Sequence, residues 1–148
     1  TQKTNQFNLT TRRYTEENIR NFLNKGHLIF CASLKDKFGD NGITGASIID
    51  LNIEKSMARI DTFLLSCRIL GRQVEKVFLS LILNELIKLH INRVEAFFIA
   101  TGKNSQVKDF YEKFGFKLQK EKDKTKEYMI EIKQNFEIDK FFKIDMVK

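Results

Sequence analysis

The most informative pattern of hydrophobic positions covers residues 58–75 and the segment after them. Residues 60–65 are sufficiently rich in apolar, β-branched and aromatic side chains to predict a strand with at least one buried face. Gly71 marks a turn, and from Val74 to about His90 the apolar residues recur at helical spacing. The members of this helical set are Val74, Val77, Phe78, Leu81, Ile82, Leu86 and Leu89. The pattern predicts a strand that turns directly into a long helix.

The turn between this strand and this helix is a natural anion site. The first N–H groups of a helix have no intrahelical acceptor, and they carry the positive end of the helix dipole. In a strand–turn–helix these groups face the turn, so a phosphate or pyrophosphate is expected at the start of the helix.

The chain begins with a short strand and a short helix. Residues 6–10 alternate polar and apolar side chains, which predicts a half-buried first strand. Thr15, followed by Glu16 and Glu17, predicts the N-cap and acidic first turn of an amphipathic helix that ends at Gly26.

A three-stranded meander is predicted next. Residues 27–34 and 43–51 give the second and third strands, and the Asn-Gly pair within residues 38–42 is a strong hairpin signal between them. The strand of residues 58–65 is the fourth, and we expect it to pair with the third through a polar turn at residues 52–56.

Two further segments follow the long helix. Residues 93–100 are nearly all apolar, which predicts a central fifth strand. Residues 104–114 predict a second helix that ends at Gly115, and its apolar face has the spacing i, i+3, i+4 and i+7. The residues of that face are Val107, Phe110, Tyr111 and Phe114.

The C-terminal third predicts a closing hairpin and an undefined tail. Residues 116–119 and 127–132 form the two predicted strands around a lysine-rich turn. Residues 135–148 show no clear period, so they are left as a tail after a single domain of residues 1–134. The order of elements predicts an α+β fold with a mostly antiparallel mixed sheet and one strand–helix–strand crossover.

Composition narrows the class of protein. The chain has 148 residues, of which 42% are hydrophobic, enough for one packed core. No apolar run approaches the roughly 20 residues of a membrane span, and no signal peptide is recognisable. Two cysteines without framework spacing favour a cytoplasmic protein, and two histidines make a metal site improbable. The absence of an initiator Met suggests a piece of a longer polypeptide.

The net charge of +7 raises the question of a nucleic-acid surface. Much of the excess lies in the lysine-rich residues 117–126, which a solvated hairpin explains equally. We favour the solvated hairpin, because no aromatic–basic interleaving accompanies the lysines. Attraction to an acidic carrier protein is compatible with it.

Two motifs resemble the GNAT acyltransferase fold, and the likeness covers residues 6–132. Residues 65–75, Leu-Ser-Cys-Arg-Ile-Leu-Gly-Arg-Gln-Val-Glu, are similar to that family's strand end, pyrophosphate loop and helix start. Residues 104–116 contain Asn104, Tyr111 and the pair Gly115-Phe116 at the family's spacing. The resemblance implies an acyltransferase that uses acetyl-CoA or another acyl-CoA, or a phosphopantetheine thioester, without a metal.

A closer resemblance links the chain to the C-terminal domain of FkbH-like proteins, of HAD superfamily IIIC. It rests on residues 3–13, 38–42 and 60–68. In that family a HAD-type domain, absent from this chain, precedes the GNAT-like domain, and members load a glyceryl group onto an acyl carrier protein. The resemblance implies an acyl carrier protein as partner, with the thioester-forming Cys and catalytic Asp in the missing domain.

The GNAT resemblance also implies a cofactor site. Main-chain groups of Phe63, Leu64 and Leu65 would hold pantetheine, which enters a splay between the fourth and fifth strands. The N–H groups from Gly71 through Arg72 and Gln73 to Val74 would bind the phosphate or pyrophosphate, with Arg68 and Arg72 adding charge. The loop departs from the family at Gln73 and Glu75, where small residues are usual, and this departure favours a carrier's phosphopantetheine over free coenzyme A.

Tyr111 matches the position that protonates the departing thiolate in GNAT enzymes, and a phenol is a suitable acid for a thiolate. Tyr111 also continues the apolar face of its helix, so a packing role is equally open. Asn104 would bond the pantetheine arm or simply cap the helix.

Three other residues are weaker candidates. Asp61 and Glu95 are possible general bases if they point into the splay, although acids on such strands more often face solvent. Cys67 beside Arg68 is a possible reactive thiol, but an inert buried cysteine is favoured.

The sequence thus favours an acyltransferase domain acting on a coenzyme A or phosphopantetheine thioester by direct attack. The alternative is a non-catalytic GNAT-like module that docks a carrier protein for the HAD-type domain. A nucleic-acid role rests on net charge alone.

Overall fold

The computed structural model describes residues 6–147, which contain seven strands and three α-helices. The strands are β1 (Phe7–Asn8), β2 (Leu28–Asp36), β3 (Gly39–Asn52), β4 (Met57–Leu65), β5 (Arg93–Ile99), β6 (Lys117–Lys122) and β7 (Thr125–Glu131). The helices are α1 (Glu16–Asn24), α2 (Val74–Lys88) and α3 (Phe110–Phe114). Short 3₁₀ turns occupy Cys67–Ile69 and Ser105–Val107. No helix within residues 6–147 is long and apolar enough to cross a membrane.

Six strands lie in the order β2-β3-β4-β5-β7-β6, and β1 pairs with β4 outside this path. The pairing of β4 with β5 is parallel, and every other pairing in the described sheet is antiparallel. Helix α2 supplies the crossover that a parallel pair requires. The predicted α+β class, with a mostly antiparallel mixed sheet flanked by helices, is confirmed.

A β-bulge in β4 shapes the centre of the sheet. Opposite β3, Ile48 pairs with Thr62 and Ile49 pairs with Ile60, so Asp61 is an extra residue without a partner. Pairing between β4 and β5 ends at the same place, with Ile60 opposite Ala96. Because a bulge bends its strand and increases the local twist, β4 diverges from β5 beyond Asp61.

The core lies between this sheet and the helices α2 and α3. The ring of Phe63 on β4 is 5.4 Å from Phe78 of α2 and 5.6 Å from Phe110 of α3, measured between centroids. The apolar set predicted for α2 is largely buried, with Ile82 and Leu86 fully so. Burial of one such aliphatic side chain is worth about 1.5–3 kcal/mol, so α2 is a major source of stability.

The N-terminal helix is confirmed with the predicted cap. The hydroxyl of Thr15 accepts from the N–H of Asn18 at 3.3 Å, and the Thr15 N–H donates to the Asn18 side chain at 3.0 Å. This reciprocal capping box satisfies two otherwise orphaned donors, and Glu16 and Glu17 lie in the first turn as expected.

Four expectations about the elements are wrong. The Asn-Gly pair is not the turn between β2 and β3, because Asp36 already pairs with Gly39 and residues 41–42 lie inside β3. Residues 6–10 are not a half-buried strand, because Phe7, Asn8, Leu9 and Thr10 are all buried, apolar and polar alike. Residues 104–114 are not one helix: a 3₁₀ turn at Ser105–Val107 precedes the five-residue α3. The lysine-rich residues belong mostly to β6 and β7 themselves, since Lys122 pairs with Thr125 and the turn is only two residues long.

The tail carries no regular strand or α-helix between Glu131 and residue 147, but its first part is packed. The main chain of Phe136 donates to the side chain of Asn84 at 2.7 Å and accepts from it at 3.0 Å. The Phe136 ring lies 5.4 Å from that of Phe114. The tail therefore runs across α2 and α3.

Candidate functional site

The divergence of β4 from β5 creates a cleft, and strand β1 lies in it. Phe7 pairs with Leu65 and Asn8 with Leu64, on the edge of β4 that β5 has left. The Leu9 N–H donates to the carbonyl oxygen of Phe63 at 3.2 Å, and the Leu9 carbonyl accepts from the N–H of Ile99 at 2.8 Å. One residue thus bridges both walls of the cleft. The role in holding pantetheine that the resemblance implies for the main-chain groups of Phe63, Leu64 and Leu65 stays a prediction, and in this conformation the carbonyl oxygen of Phe63 is bonded to Leu9.

Side chains fix β1 in the cleft. Asn104 is fully buried, and its amide nitrogen donates to the carbonyl oxygens of Asn8 at 3.1 Å and Ile99 at 2.9 Å. Its amide oxygen accepts from the Thr101 N–H at 2.8 Å. Asn104 therefore neither caps the 3₁₀ turn with its side chain nor has a free donor for a ligand. The Phe7 ring packs edge-on against Phe110 at 5.1 Å.

The chain leaving β1 is tied to the bulge of β4. Asp61 forms an ion pair with Arg12 and accepts hydrogen bonds from the hydroxyls of Tyr14 at 2.6 Å and Thr62 at 3.0 Å. Burial raises the pKa of Tyr14, and the hydrogen bond to Asp61 raises it further. Asp61, a candidate base from the sequence, thus anchors the N-terminal segment.

The strand–turn–helix corner has the expected main-chain shape. Gly71 and Gln73 adopt left-handed conformations, with φ of 77° and 63°, and Gln73 gives helix α2 no side-chain cap. The N–H groups of Lys76 and Val77 both donate to the carbonyl oxygen of Gln73 at 3.1 Å, so the N–H groups of Val74 and Glu75 are the ones at this helix start without an acceptor inside the helix. A Cβ built on Gly71 would have no atom within 4 Å. Glycine is therefore favoured here by the left-handed backbone conformation and not by a close contact.

The two arginines of this corner face the β2–β3 turn. Arg72 donates to the carboxylate of Asp36 at 2.7 Å, and Arg68 reaches the carbonyl oxygen of Asn41 at 3.5 Å. The pKa of Asp36 is lowered, first by the N–H of Phe38 and then by Arg72 and Asn41. Arg72 thus already has an acidic partner, and a phosphate contact by either arginine stays a prediction.

Glu75 places a negative charge in the first turn of α2, and its oxygen Oε2 is buried without a hydrogen-bond partner among residues 6–147. A carboxylate here is favourable for the helix dipole but repels a second anion.

Tyr111 lies in the core with 1% of its surface exposed. Its ring packs against Phe110, Phe116 and Tyr128, at centroid distances of 5.5, 5.0 and 5.7 Å. Its hydroxyl has no hydrogen-bond partner within residues 6–147, and burial raises its pKa far above the ordinary value. The packing role is thus realised, and the acid role stays a prediction.

The remaining candidates lie apart from the cleft. Glu95 accepts from Arg59 at 3.1 Å in an ion pair near the surface. Cys67 is exposed in a 3₁₀ turn, so the expectation of an inert buried thiol is wrong. Among residues 6–147 no cluster of three or more His, Cys, Asp or Glu side chains could hold a metal ion.

The structure also contains a groove that the sequence did not predict. A cavity of about 280 Å³ lies between α2, α3 and the tail, next to the start of α2. Its walls include the cations Lys76 and Lys113 and the anions Glu137 and Asp139. In the sequence, the apolar Phe136 in the tail is a local sign of burial. It does not indicate which part of the fold Phe136 packs against.

No protein-family model matches the chain, and no curated protein matches its sequence. Solved structures do match its fold. The ribosomal-protein-S18-alanine N-acetyltransferase of Escherichia coli is 12% identical, with a TM-score of 0.63 over 90% of this chain and 86% of that one. The PaiA N-acetyltransferase of Thermoplasma acidophilum, in complex with coenzyme A, is 16% identical, with a TM-score of 0.59 over 80% of each chain. A GNAT family acetyltransferase of Elizabethkingia anophelis with acetyl-CoA bound is 11% identical, with a TM-score of 0.60 over 80% of this chain and 84% of that one.

These likenesses establish that the chain has the GNAT acetyltransferase fold. At such low identity they carry no further information about activity.

Proposed function

We propose that the cleft between β4 and β5 binds the phosphopantetheine arm of an acyl thioester and that the domain is an acyltransferase. The observation that carries this proposal is the bonding of Leu9. One wall of the cleft offers a main-chain acceptor at Phe63 and the other a main-chain donor at Ile99, and an extended amide chain bridges them. Pantetheine is itself an extended chain with two amide groups, so it matches the bonding capacity of these walls.

The arm and β1 cannot occupy the cleft together. With β1 in place, the main-chain groups at Phe63 and Ile99 are bonded to Leu9, and Phe7 fills the space against Phe110. The residues present therefore match the chemistry of the arm, but the described conformation has no room for it. The proposal requires a second conformation in which β1 has left.

The corner at α2 favours a carrier protein over free coenzyme A. Phosphopantetheine on a carrier has a single phosphate, whereas coenzyme A has a more highly charged pyrophosphate and a nucleotide. Glu75 repels the larger negative charge more strongly, and Arg72 is already paired with Asp36. We therefore propose an acyl carrier protein as the natural thioester donor, in agreement with the FkbH-like resemblance. The structures of the two relatives with coenzyme A or acetyl-CoA bound support the general class of ligand.

A second candidate function is a non-catalytic GNAT-like module that docks a carrier protein for a HAD-type glyceryl-transfer domain. The state of Tyr111 and Asp61 favours it. The predicted acid is buried in an aromatic cluster, and a predicted base is held by Arg12 and Tyr14. An acyltransferase would need other groups, or a rearranged cleft, for proton transfer.

Calorimetric titration with acetyl-CoA, and then with a phosphopantetheinylated acyl carrier protein, tests these functions. Binding of either ligand that is lost in Gly71→Glu and kept in Gly71→Gln supports an arm site at this corner, because both variants place a side chain of similar size on the left-handed backbone of residue 71 and differ in charge. Release of free thiol from the bound acyl ligand, with the acyl group transferred to an added amine or alcohol acceptor, supports the acyltransferase. Binding to the carrier without thiol release supports the docking module, and no binding to either ligand contradicts both.

A further inference from the structure

Strand β1 occupies the cleft in the manner expected of a ligand. It contributes only two residues to the ladder, Phe7 and Asn8, and Leu9 completes the bridge from Phe63 to Ile99. We infer that β1 is a movable strand that closes the cleft and that its displacement is the step that admits the thioester arm. This inference rests on the proposed function. In the structure β1 fills the cleft, so the arm has no space to bind beside it.

The anchor of this segment is separate from the cleft. After β1, Thr11 adopts a left-handed conformation with φ of 57°, and its N–H is bonded to the side chain of Asn8 at 2.9 Å. Arg12 and Tyr14 then hold Asp61 at the bulge. Release of β1 therefore breaks no contact of this anchor, and Thr11 is the natural hinge.

The closed state combines favourable and unfavourable interactions. Burial of Phe7 and Leu9 and the hydrogen bond from Asn104 to the carbonyl oxygen of Asn8 stabilise it. The hydroxyl of Thr10 opposes closure, because it is buried without a hydrogen-bond partner among residues 6–147 and would regain water on release. A ligand that binds only the open state has an apparent affinity reduced by the fraction of open molecules. The strand thus acts as an internal competitor whose stability sets the affinity for the arm.

A reversible cross-link tests this inference in the full chain. Asn8 and Leu64 are directly opposite in an antiparallel pair, where Cα separations of about 4.5–5.5 Å suit a disulfide. The variant Asn8→Cys/Leu64→Cys is made in a Cys31→Ser/Cys67→Ser background, since both native thiols are exposed. The background protein alone is the control for redox effects. We expect the oxidised form to bind acetyl-CoA or the acylated carrier at least about tenfold more weakly than the same protein after reduction. Equal binding by the two forms overturns the inference.

Hydrogen exchange separates failure of the inference from failure of the proposed function. Release of β1 deprives the Ile99 N–H of its acceptor, so this amide should exchange faster in the wild-type chain than amides of Ala58 and Val94, which lie in the β4–β5 pairing two positions before its end at the cleft. If Ile99 is as protected as these amides, β1 leaves only on global unfolding and the inference is wrong. If Ile99 exchanges by local opening and the reduced variant binds neither ligand, the strand opens as inferred and the proposed function is wrong.

Discussion

The side chain of Asn104 donates a hydrogen bond to the carbonyl oxygen of Asn8 at 3.1 Å, across 96 positions of the chain. The same amide group bonds the main chain of Ile99 and Thr101. One buried residue thereby joins the first strand, the end of β5 and the turn that follows it. Asn104 is also the residue for which the GNAT resemblance implies a hydrogen bond to the pantetheine arm.

Replacement of Asn104 by Ala should destabilise the domain strongly. It removes three hydrogen bonds and leaves the carbonyl oxygens of Asn8 and Ile99 and the N–H of Thr101 without this partner. We expect a loss of about 2–4 kcal/mol in the free energy of unfolding, measured by chemical denaturation. The exposed Asn92→Ala is the matched control and should change stability by less than about 0.5 kcal/mol. A loss no larger than the control's would show that the three bonds contribute nothing net.

Two tyrosine-to-phenylalanine variants should behave oppositely. The hydroxyl of Tyr111 is buried without a partner among the described residues, so Tyr111→Phe should leave the free energy of unfolding unchanged or raise it by about 1 kcal/mol. The hydroxyl of Tyr128 donates to Glu112 at 2.8 Å, so Tyr128→Phe should lower it by about 1 kcal/mol. Thermal and urea unfolding measure both. If acyl transfer is observed, a large loss of kcat in Tyr111→Phe without loss of stability would assign the acid role, and unchanged kcat would exclude it.

A methyl group at Gly45 should be harmful for steric reasons. A Cβ there would lie 2.8 Å from the side chain of Leu65 and 3.2 Å from the ring of Phe78. The backbone of Gly45 is not left-handed, so these contacts alone are the expected cause of harm. Gly45→Ala should lower the free energy of unfolding by about 1–3 kcal/mol through overpacking. At Gly102 a Cβ meets no atom within 4 Å, so Gly102→Ala should be neutral or slightly stabilising. Similar stabilities for the two variants would mean that β3 moves aside without cost.

The three tyrosines of the chain should all resist ionisation at alkaline pH. Burial is the first cause that raises the pKa of Tyr14, Tyr111 and Tyr128, and hydrogen bonds to carboxylates add to it for Tyr14 and Tyr128. Each raised pKa contributes stability that is complete below the unfolded value of about 10 and is lost as the pH rises through the folded value. In a spectrophotometric titration the tyrosinate absorbance of Tyr111 and Tyr128 should therefore appear together with loss of the folded signal in circular dichroism. A tyrosinate signal near pH 10 in the folded protein would contradict the burial of at least one ring.

Elements with strong local signals could be predicted from the sequence. The apolar spacing of α2 depends on residues close in the chain, and this helix is present as predicted. The β2–β3 hairpin is also present, but its turn lies at residues 37–38 and the Asn-Gly pair that predicted it falls inside β3. Helix α3 was predicted too long because the face formed by Val107, Phe110 and Phe114 is compatible with either one helix or a 3₁₀ turn before a short one. The second arrangement agrees with the role of Asn104. Its side chain bonds the main chain of Asn8, far away in the sequence, and does not cap the start of a helix.

The position of β1 could not be predicted from local pattern. Alternation in residues 6–10 indicates a strand but not its neighbours, and the polar Asn8 and Thr10 suggested an exposed face. They are buried because β1 lies between two strands, where main-chain partners come from residues more than 50 positions away. The cleft itself arises from a bulge at Asp61, for which the sequence offers no local signature.

The bridge that Leu9 forms between β4 and β5 also constrains the order of folding. Its two partners, Phe63 and Ile99, come together only after the crossover through α2 has been completed. Closing such long loops is entropically unfavourable until the contacts they allow have formed, so β1 should dock late. Strand β1, although it precedes β4 and β5 along the chain, is then expected to enter the sheet after both of them.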